Sequence, residues 1–442
     1  MRFGTDGVRG AAHTELTVEF ARRLARAAAQ VLTADGGRSL AVVGGDTRES
    51  TPAFDAALCA GFDDAGVEVV RLGVVPTPVV AFEAQRRDAI GAVVSASHNR
   101  YTDNGIKLFA RGGRKLSDDV EEQIEALLGA QDTAPHDPIP APDTLAAPFD
   151  VADLYVEHVL AYLEGRRLDG LRVVLDTAHG AAHRLAPIVL RAAGADVIVV
   201  ADAPDGRNIN EGCGATVPAH VAAAVREHGA DVGVALDGDA DRLIAVDHTG
   251  AVVDGDHVIA ITALDLRAKG ELRDDTVVVT VMTNLGFRLA MRDAGVRVVE
   301  TAVGDRYVLE ALAAGGWSLG GEQSGHVIFA DHATTGDGIL TAVALLDAVT
   351  RAGRPLADIA RETMTSLPQV LVNVRTGRRL DDVATLLADD IAGVEAELGD
   401  TGRVLVRASG TEPLVRVMVE APTREAADAA AERLAASAAT LA

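Results

Sequence analysis

Residues 89–99 read Ala-Ile-Gly-Ala-Val-Val-Ser-Ala-Ser-His-Asn, an apolar run that stops on a polar loop. Six residues without polar alternation are the pattern of a strand buried on both faces, as in parallel sheets covered by helices. In open α/β sheets ligands gather beyond the carboxyl ends of such strands, so the loop Ser95–Asn99 lies where a site belongs. Working outward, the same rhythm repeats. Upstream, Leu16, Phe20, Leu24, Ala27 and Val31 recur at helical spacing, Leu40–Val43 is a short apolar run ending at Gly44-Gly45-Asp46, 51–65 is helix-like and Val67–Leu72 is a further strand. Downstream, strands are expected at Leu171–Leu175, Asp196–Val200, Asp231–Leu236, Thr276–Val281, Val296–Glu300 and Trp317–Leu319, with helical segments between them. A Pro- and Asp-rich stretch, Asp132 to Asp143, interrupts the pattern, and from Ser366-Leu367-Pro368 the order becomes strand, helix, strand, strand, helix. The expectation is three successive α/β mixed-sheet domains (1–150, 151–253 and 254–366) followed by a small C-terminal α+β domain (367–442).

Composition narrows the partners. At 442 residues the chain can bury several cores without a metal or disulfide staple, and 3% aromatic residues favour thin helix-on-sheet packing. Its 65 acidic against 41 basic side chains leave a formal charge of −24, which opposes non-specific binding to nucleic acid or anionic lipid. An anionic ligand must therefore be captured by a local basic cluster, because screening over about 8 Å hides the rest of the surface. Cys59 and Cys213 are too few for a disulfide framework and neither lies in a Cys-x-x-Cys pair. The segment Met-Arg-Phe-Gly-Thr-Asp-Gly-Val-Arg-Gly has no export signature, and no run approaches the ~18 apolar residues of a membrane span, so a cytoplasmic protein with no membrane or nucleic-acid partner is expected.

Four clusters carry chemistry. Asp237, Asp239 and Asp241 stand at alternate positions directly after the run Asp231–Leu236, in Asp-Gly-Asp-Ala-Asp-Arg. A bare Asp-x-Asp is more often a solvated acidic turn. Three carboxylates behind a buried strand, followed by Arg242 and another strand, favour a hard cation, and Mg²⁺ suits a few carboxylates completed by water and phosphate oxygens. A calcium loop does not fit, since its sixth position would be Arg242 instead of Gly and its twelfth His248 instead of Glu. In the loop after Val94, Ser97 accompanies His98, Asn99, Asp103, Asn104 and Lys107. No Gly-x-Ser-x-Gly elbow surrounds it, and neighbours on an extended loop point apart, which argues against acyl transfer. Only three of the 41 basic residues are lysines, so Lys107 in a polar loop points to a compact ammonium wanted as phosphate ligand or proton donor. Turn-making is the plain alternative for Ser95 and Ser97. The third cluster, Arg407-Ala-Ser409-Gly410-Thr411-Glu-Pro413 with Arg416, combines small residues, hydroxyls and two guanidiniums as a phosphate nest would. The fourth, Gly-Gly-Glu322-Gln-Ser324-Gly-His326, offers polar groups to a ligand with many hydroxyls.

Taken in order, Ser-Ala-Ser-His-Asn with Asp-Asn-Gly-Ile-Lys, Asp-Gly-Asp-Ala-Asp-Arg, Gly-Glu-Gln-Ser-Gly-His and Arg-Ala-Ser-Gly-Thr-Glu-Pro resemble the active-site loops of the α-D-phosphohexomutase superfamily, and the likeness runs from Phe3–Gly10 to the terminal domain. The stretches Val303–Val308, Thr334–Ile339 and Asn208–Gly214 are similar to its bacterial phosphoglucosamine mutases more than to its phosphomannomutase/phosphoglucomutase branch. The resemblance implies four domains around a central cleft. It also implies interconversion of glucosamine 6-phosphate and glucosamine 1-phosphate through a bisphosphorylated hexosamine that is both intermediate and activator, feeding UDP-N-acetylglucosamine and cell-wall synthesis. Ser97 would hold the phosphoryl group and, with Asp237, Asp239 and Asp241, bind Mg²⁺. Arg9, Lys107 and His326 become candidates for proton transfer. Glu322 and Ser324 would bind sugar hydroxyls, Arg407, Ser409, Gly410, Thr411 and Arg416 the phosphate that is not reacting, and Arg242, Asp305 and Arg306 would add substrate contacts. A monomer or homodimer is implied, with Ser97 first charged by a kinase or by autophosphorylation. One departure is Arg100-Tyr101-Thr102 where the superfamily commonly has Pro after Ser-His-Asn, which predicts a less pre-organised loop. Three rivals stay open: a mutase for mannose or glucose phosphates, a metal-dependent phosphatase, and a silent sugar-phosphate binder.

Overall fold

The run that opened the sequence is a strand with all five of its residues, Ile90–Val94, buried. The computed structural model describes every residue except 1, 5, 35, 37, 131–137, 379, 381, 409–412 and 442. Around that strand the first sheet is built from β1 (Val8–Ala11), β2 (Leu40–Gly45), β3 (Glu68–Val74), β4 (Ile90–Val94), β5 (Asp103–Ala110) and β6 (Arg114–Lys115), in the order β1-β5-β4-β2-β3 with β6 on β5. The β4, β2 and β3 strands run parallel, while β5 and β1 are antiparallel to their neighbours. Helices close the faces. Val18–Leu32, capped by the Thr17 hydroxyl accepting from the Phe20 amide, packs on Thr51–Asp64 so closely that a Cβ at Gly61 would stand 2.1 Å from the Arg22 carbonyl.

The second sheet holds β7 (Arg172–Asp176), β8 (Asp196–Val200), β9 (Val232–Leu236), β10 (Leu243–Asp247) and β11 (Val252–Val253), ordered β11-β10-β9-β7-β8. The third has β12 (Thr276–Thr280), β13 (Arg297–Thr301), β14 (Leu319–Gly321) and β15 (Val327–Phe329), ordered β13-β12-β14-β15. Each mixes parallel strands with an antiparallel edge, as expected for α/β units with a ligand site at the strand ends. The nearly all-buried helix Gly338–Ala352 begins on Asp337, whose side chain accepts from the amides of Ile339 and Leu340. Among the described residues no helix is long and apolar enough to cross a membrane.

One point differs from the sequence reading. Lys107 is not in the Ser97 loop: it sits on β5, a strand between β1 and β4, opposite Val93. Asn104, Gly105 and Lys107 break the apolar pattern of that strand: Lys107 reaches Asp239 and Asp241, while Asn104, on the other face, donates to Ser50. Packing groups the last segment with a helix of the preceding one. By packing, the chain forms two compact units, Met1–Met282 with Val296–Arg361, and Thr283–Gly295 with Glu362–Ala442.

That second unit carries the antiparallel sheet β16 (Gln369–Arg375), β17 (Arg403–Ala408) and β18 (Leu414–Glu420), ordered β16-β18-β17, with the helix Arg424–Ala439 against it. Its annexed helix Leu285–Asp293 is held by Asn284, whose Oδ1 accepts from the Gly286 and Leu367 amides at 2.9 Å each and whose Nδ2 donates to the Leu367 carbonyl at 3.0 Å. The Leu285 amide donates to the buried Glu420, itself paired with Arg403. Replacing Asn284 by Ala removes a helix cap and strands Leu367, so the unit should lose about 2–3 kcal/mol. Urea unfolding followed by tryptic cleavage within 362–442 checks this, with Asn284→Asp restoring the acceptor half of the loss.

Candidate active site

The carboxyl ends of β2, β3 and β4 meet at one point. Ser97, three residues past β4 and fully buried, adopts φ +51°, a left-handed backbone that a residue with a side chain avoids at a cost of roughly 1–2 kcal/mol. Its amide donates to the Ser95 hydroxyl at 2.9 Å, and Ser95 in turn donates to Asp46 at 2.6 Å. Its carbonyl accepts from Arg48 Nη2 at 3.0 Å and Asn210 Nδ2 at 2.9 Å. The side chain is thereby aimed at the second sheet, where the Ser97 hydroxyl donates to Asp237 Oδ2 at 2.6 Å.

Between β9 and β10 the chain turns sharply, with Ala240 at φ +57°, and presents Asp237, Asp239 and Asp241, all buried, with one oxygen from each lying within 4.8 Å of the others. Lys107 Nζ lies 2.8 Å from Asp239, 2.9 Å from Asp241 and 2.8 Å from Asp6. Burial opposes the charge of that ammonium, but the three carboxylates outweigh it and hold the Lys107 pKa well above its usual range. Asp6 and Asp241 are desolvated too, and lysine contacts pull both well below the carboxylate range. Asp237 has no such partner: burial, then Asp241 and Asp239, push it well above. Thr77, at the start of a helix after β3, donates its hydroxyl to Asp239 Oδ2 at 2.6 Å and its amide to the Asp239 carbonyl at 2.9 Å. Two buried oxygens, Asp239 Oδ1 and Asp241 Oδ1, receive no hydrogen bond. Hard carboxylate oxygens converging without donors fit a divalent cation.

The third sheet closes on this loop. The Leu243 amide donates to the Gly325 carbonyl at 3.0 Å, and Gly325, at φ +91°, leaves no room for a Cβ, which would stand 2.1 Å from the Leu243 carbonyl. His326, buried, places Nδ1 3.8 Å from Asp241 and Nε2 3.5 Å from Asp305, and Nε2 accepts from the Gly336 amide at 3.1 Å. Burial lowers its pKa, yet Asp241 and Asp305 outweigh that and raise it; the Gly336 contact works the other way, since a doubly protonated ring cannot accept there. Asp305 pairs with Lys115, which also reaches Asp6 at 2.7 Å. Arg306 turns to Asp118 and Glu121, away from the carboxylate triad. Arg9 pairs with Asp6, and Arg242 Nε stands 3.6 Å from Asp241. Glu322 is half-buried and accepts from the Gly304 amide at 3.2 Å, while Ser324 is exposed at the turn.

In the second unit, Arg407 on β17 and Arg416 on β18 are direct cross-strand partners. Like charges set opposite each other destabilise a sheet. Burial and then the Arg416 charge lower the Arg407 pKa, and Arg416 Nε is buried without a hydrogen-bond partner among the described residues. Ser409, Gly410 and Thr411 lie outside the described residues.

Sequence reasoning missed Asp6, Asp46, Arg48, Thr77, Lys115 and Asn210. A signal existed for three of them: Asp46 and Arg48 follow β2 and Thr77 follows β3, the same strand-end position that singled out Ser97.

Four domain descriptions of one family match the chain. Residues 1–134, 153–250 and 254–367 match "Phosphoglucomutase/phosphomannomutase, alpha/beta/alpha" domains I, II and III, and 371–437 match its C-terminal domain. The chain is 55% identical to the phosphoglucosamine mutase of Thermobifida fusca (strain YX), over 98% of this chain and 97% of that one. To the phosphoglucosamine mutase of Rhodococcus opacus (strain B4) it is 51% identical over 99% of both. Among solved structures, a phosphoglucomutase/phosphomannomutase family protein from Burkholderia thailandensis superposes with TM-score 0.80 at 25% identity, covering 98% of this chain and 96% of its own.

The raised pKa of Asp237 has a consequence for stability. Its carboxylate is disfavoured in the folded state, so stability present below about pH 4 is lost as pH rises toward the folded pKa. In EDTA at neutral pH, Asp237→Asn should therefore melt higher than the wild type. Added Mg²⁺ should raise the wild-type melting temperature and leave the variant nearly unmoved. A variant that melts lower in EDTA would contradict this account of the triad.

Proposed function

Because the chain belongs to the phosphoglucomutase/phosphomannomutase family, we propose that it interconverts glucosamine 6-phosphate and glucosamine 1-phosphate in the cytoplasm, with Ser97 as the phosphoryl carrier. The observation that carries this reading is the buried Ser97 hydroxyl held 2.6 Å from Asp237 of a three-carboxylate cluster. The names of relatives at 51–55% identity over nearly the whole chain support glucosamine phosphate as the substrate.

In the forward step the bond from phosphorus to Ser97 Oγ breaks as one forms to the free sugar hydroxyl. That hydroxyl loses its proton and Ser97 Oγ regains one, which leaves a bisphosphorylated hexosamine. After the intermediate turns over, its other phosphate returns to Ser97. Asp237, Asp239 and Asp241 would hold Mg²⁺, which when bound neutralises charge on the transferring group. Lys107, kept protonated by its carboxylates, donates to phosphate oxygens or to the leaving oxygen and cannot serve as base. Arg9 and Arg242 add positive charge at the same end. His326 holds Asp241 and Asp305 in place and, with His98 whose Nδ1 stands 3.3 Å from Ser97 Oγ, is an imidazole placed to exchange a proton. Glu322 and Ser324 read the ring hydroxyls. Arg407 and Arg416, with Ser409, Gly410 and Thr411, clamp the phosphate that is not reacting, and Asp305 and Arg306 act at one remove through Lys115, Asp118 and Glu121.

Turnover measured on glucosamine, glucose and mannose 6-phosphates tests the assignment, with the amino sugar expected to be preferred by kcat/KM. Release of inorganic phosphate in place of isomer would identify a phosphatase. Ser97→Ala should abolish isomerisation and the phosphoserine seen by intact mass while keeping the fold, since a loop hydroxyl fills no core. Arg416→Ala removes a charge-assisted contact worth about 1.5–3 kcal/mol, so KM should rise by roughly one to two decades while Ser97 is still phosphorylated. Loss of phosphoserine in that variant would place Arg416 at the reacting end.

A further inference from the structure

Ser97 occupies a backbone conformation it does not favour, in a loop with no proline between Ser95 and Asp103. Such a conformation persists only where the surroundings over-determine it. They do so here through one buried ion pair. Arg48 and Asp46, whose side chains are both at 0% exposure, pair at 2.8 Å through Nε. The other guanidinium hydrogens all go to the loop: Nη2 donates to the carbonyls of Ser97 at 3.0 Å and Asn99 at 2.9 Å, and Nη1 to those of Arg100 and, at 3.1 Å, Asp103. All five donors of a planar fork are thereby used, four of them on successive turns of the loop that carries the nucleophile. Asp46 completes the grip from the other side, because it accepts from Ser95, whose hydroxyl receives the Ser97 amide. Both the amide and the carbonyl of Ser97 thus answer to the same buried pair. Asn210, from the second sheet's unit, adds bonds to the Ser97 and Asn99 carbonyls at 2.9 and 3.1 Å.

We propose that Arg48 is the positioning residue that fixes the Ser97 hydroxyl in line for phosphoryl transfer, with Asn210 as its partner across the loop. The proposal rests on Ser97 being the phosphoryl carrier, as read above. Arg48 meets Ser97 only at its backbone carbonyl and bonds neither the Asp237–Asp241 carboxylates nor Glu322 or Ser324, so its effect must pass through the loop backbone. A misplacement of about 1 Å caused away from the chemistry can cost about 100-fold in rate, which is the scale at issue.

The test compares wild type, Arg48→Lys, Asn210→Gly and the double variant with glucosamine 6-phosphate and Mg²⁺. Lysine keeps the charge against Asp46 but offers a point donor that cannot span four carbonyls, and glycine at 210 accepts the left-handed φ of +60° while removing the amide. Arg48→Lys should lower kcat about 100-fold with KM within about threefold of wild type, and Asn210→Gly should lower kcat about tenfold. The double variant should fall short of the product of the two losses, because both residues hold the same carbonyls. Hydrolysis of the phosphoserine by water, which requires no alignment with a bound sugar, should change less than transfer. An active wild type with kcat within threefold in Arg48→Lys overturns the proposal, as does a KM that rises while kcat stays. Should Arg48→Lys not fold, an unchanged kcat in Asn210→Gly overturns it alone. A wild type that transfers no phosphoryl group overturns the parent reading, and this one with it.

Discussion

Buried carboxylates that outnumber their donors are the constraint on which this molecule turns. Asp237, Asp239 and Asp241 are buried with the partly buried Asp6 beside them, where an unpaired charge is expensive and neighbouring like charges add to the expense. Lys107 relieves part of it by touching three of the four. The relief then propagates: Asp6 meets Lys115, Lys115 meets Asp305, Asp305 faces His326, and His326 faces Asp241. The result is a closed ring of groups drawn from all three α/β sheets. Removing one partner of a buried pair costs more than the pair contributes, so each member of such a ring fixes the next.

That ring can close only because backbone approaches backbone around it. A Cβ at Gly238 would stand 2.5 Å from the Ser97 carbonyl, and one at Gly338 2.6 Å from the Arg242 carbonyl. The glycines in the Asp-Gly-Asp and Gly-Asp-Gly stretches therefore serve contact between loops. The Gly338 amide donates to the Ala240 carbonyl at 2.9 Å, which fastens the start of a long buried helix to the turn that carries the three aspartates. Groups held this rigidly need little rearrangement when charge moves, which is how preorganised electrostatics lower a barrier.

The parts of this design that were legible in the sequence are those with a local signature. The strands β4 and β9 are apolar without interruption, and each runs into polar residues whose spacing already suggested phosphate and metal chemistry. What escaped depends on distant partners. The β5 strand was hidden because Asn104, Gly105 and Lys107, the residues that disrupt its apolar pattern, are buried by tertiary pairing. Arg48 looks like any basic loop residue until its five donors are counted. Thr283–Gly295 reads as part of the third domain, and only the bonds of Asn284 with Leu367 reveal which core it joins. Arg306 lies in a stretch that resembles a substrate loop, yet its partners, Asp118 and Glu121, sit nearly two hundred residues away.

The second unit shows the same physics with the sign reversed. Arg407 and Arg416 face each other across β17 and β18, where two like charges cost stability and gain nothing from the protein itself. A chain with a formal charge of −24 has carboxylates to spare, yet among the described residues none pairs with either guanidinium. Beyond about 8 Å the negative surface is screened, so an incoming phosphate meets the local pair and not the net charge. An excess of carboxylate in the first unit and of guanidinium in the second are each unfavourable in the free protein. On the function proposed above, each excess is stability given up in the free protein that a phosphorylated ligand would recover on binding.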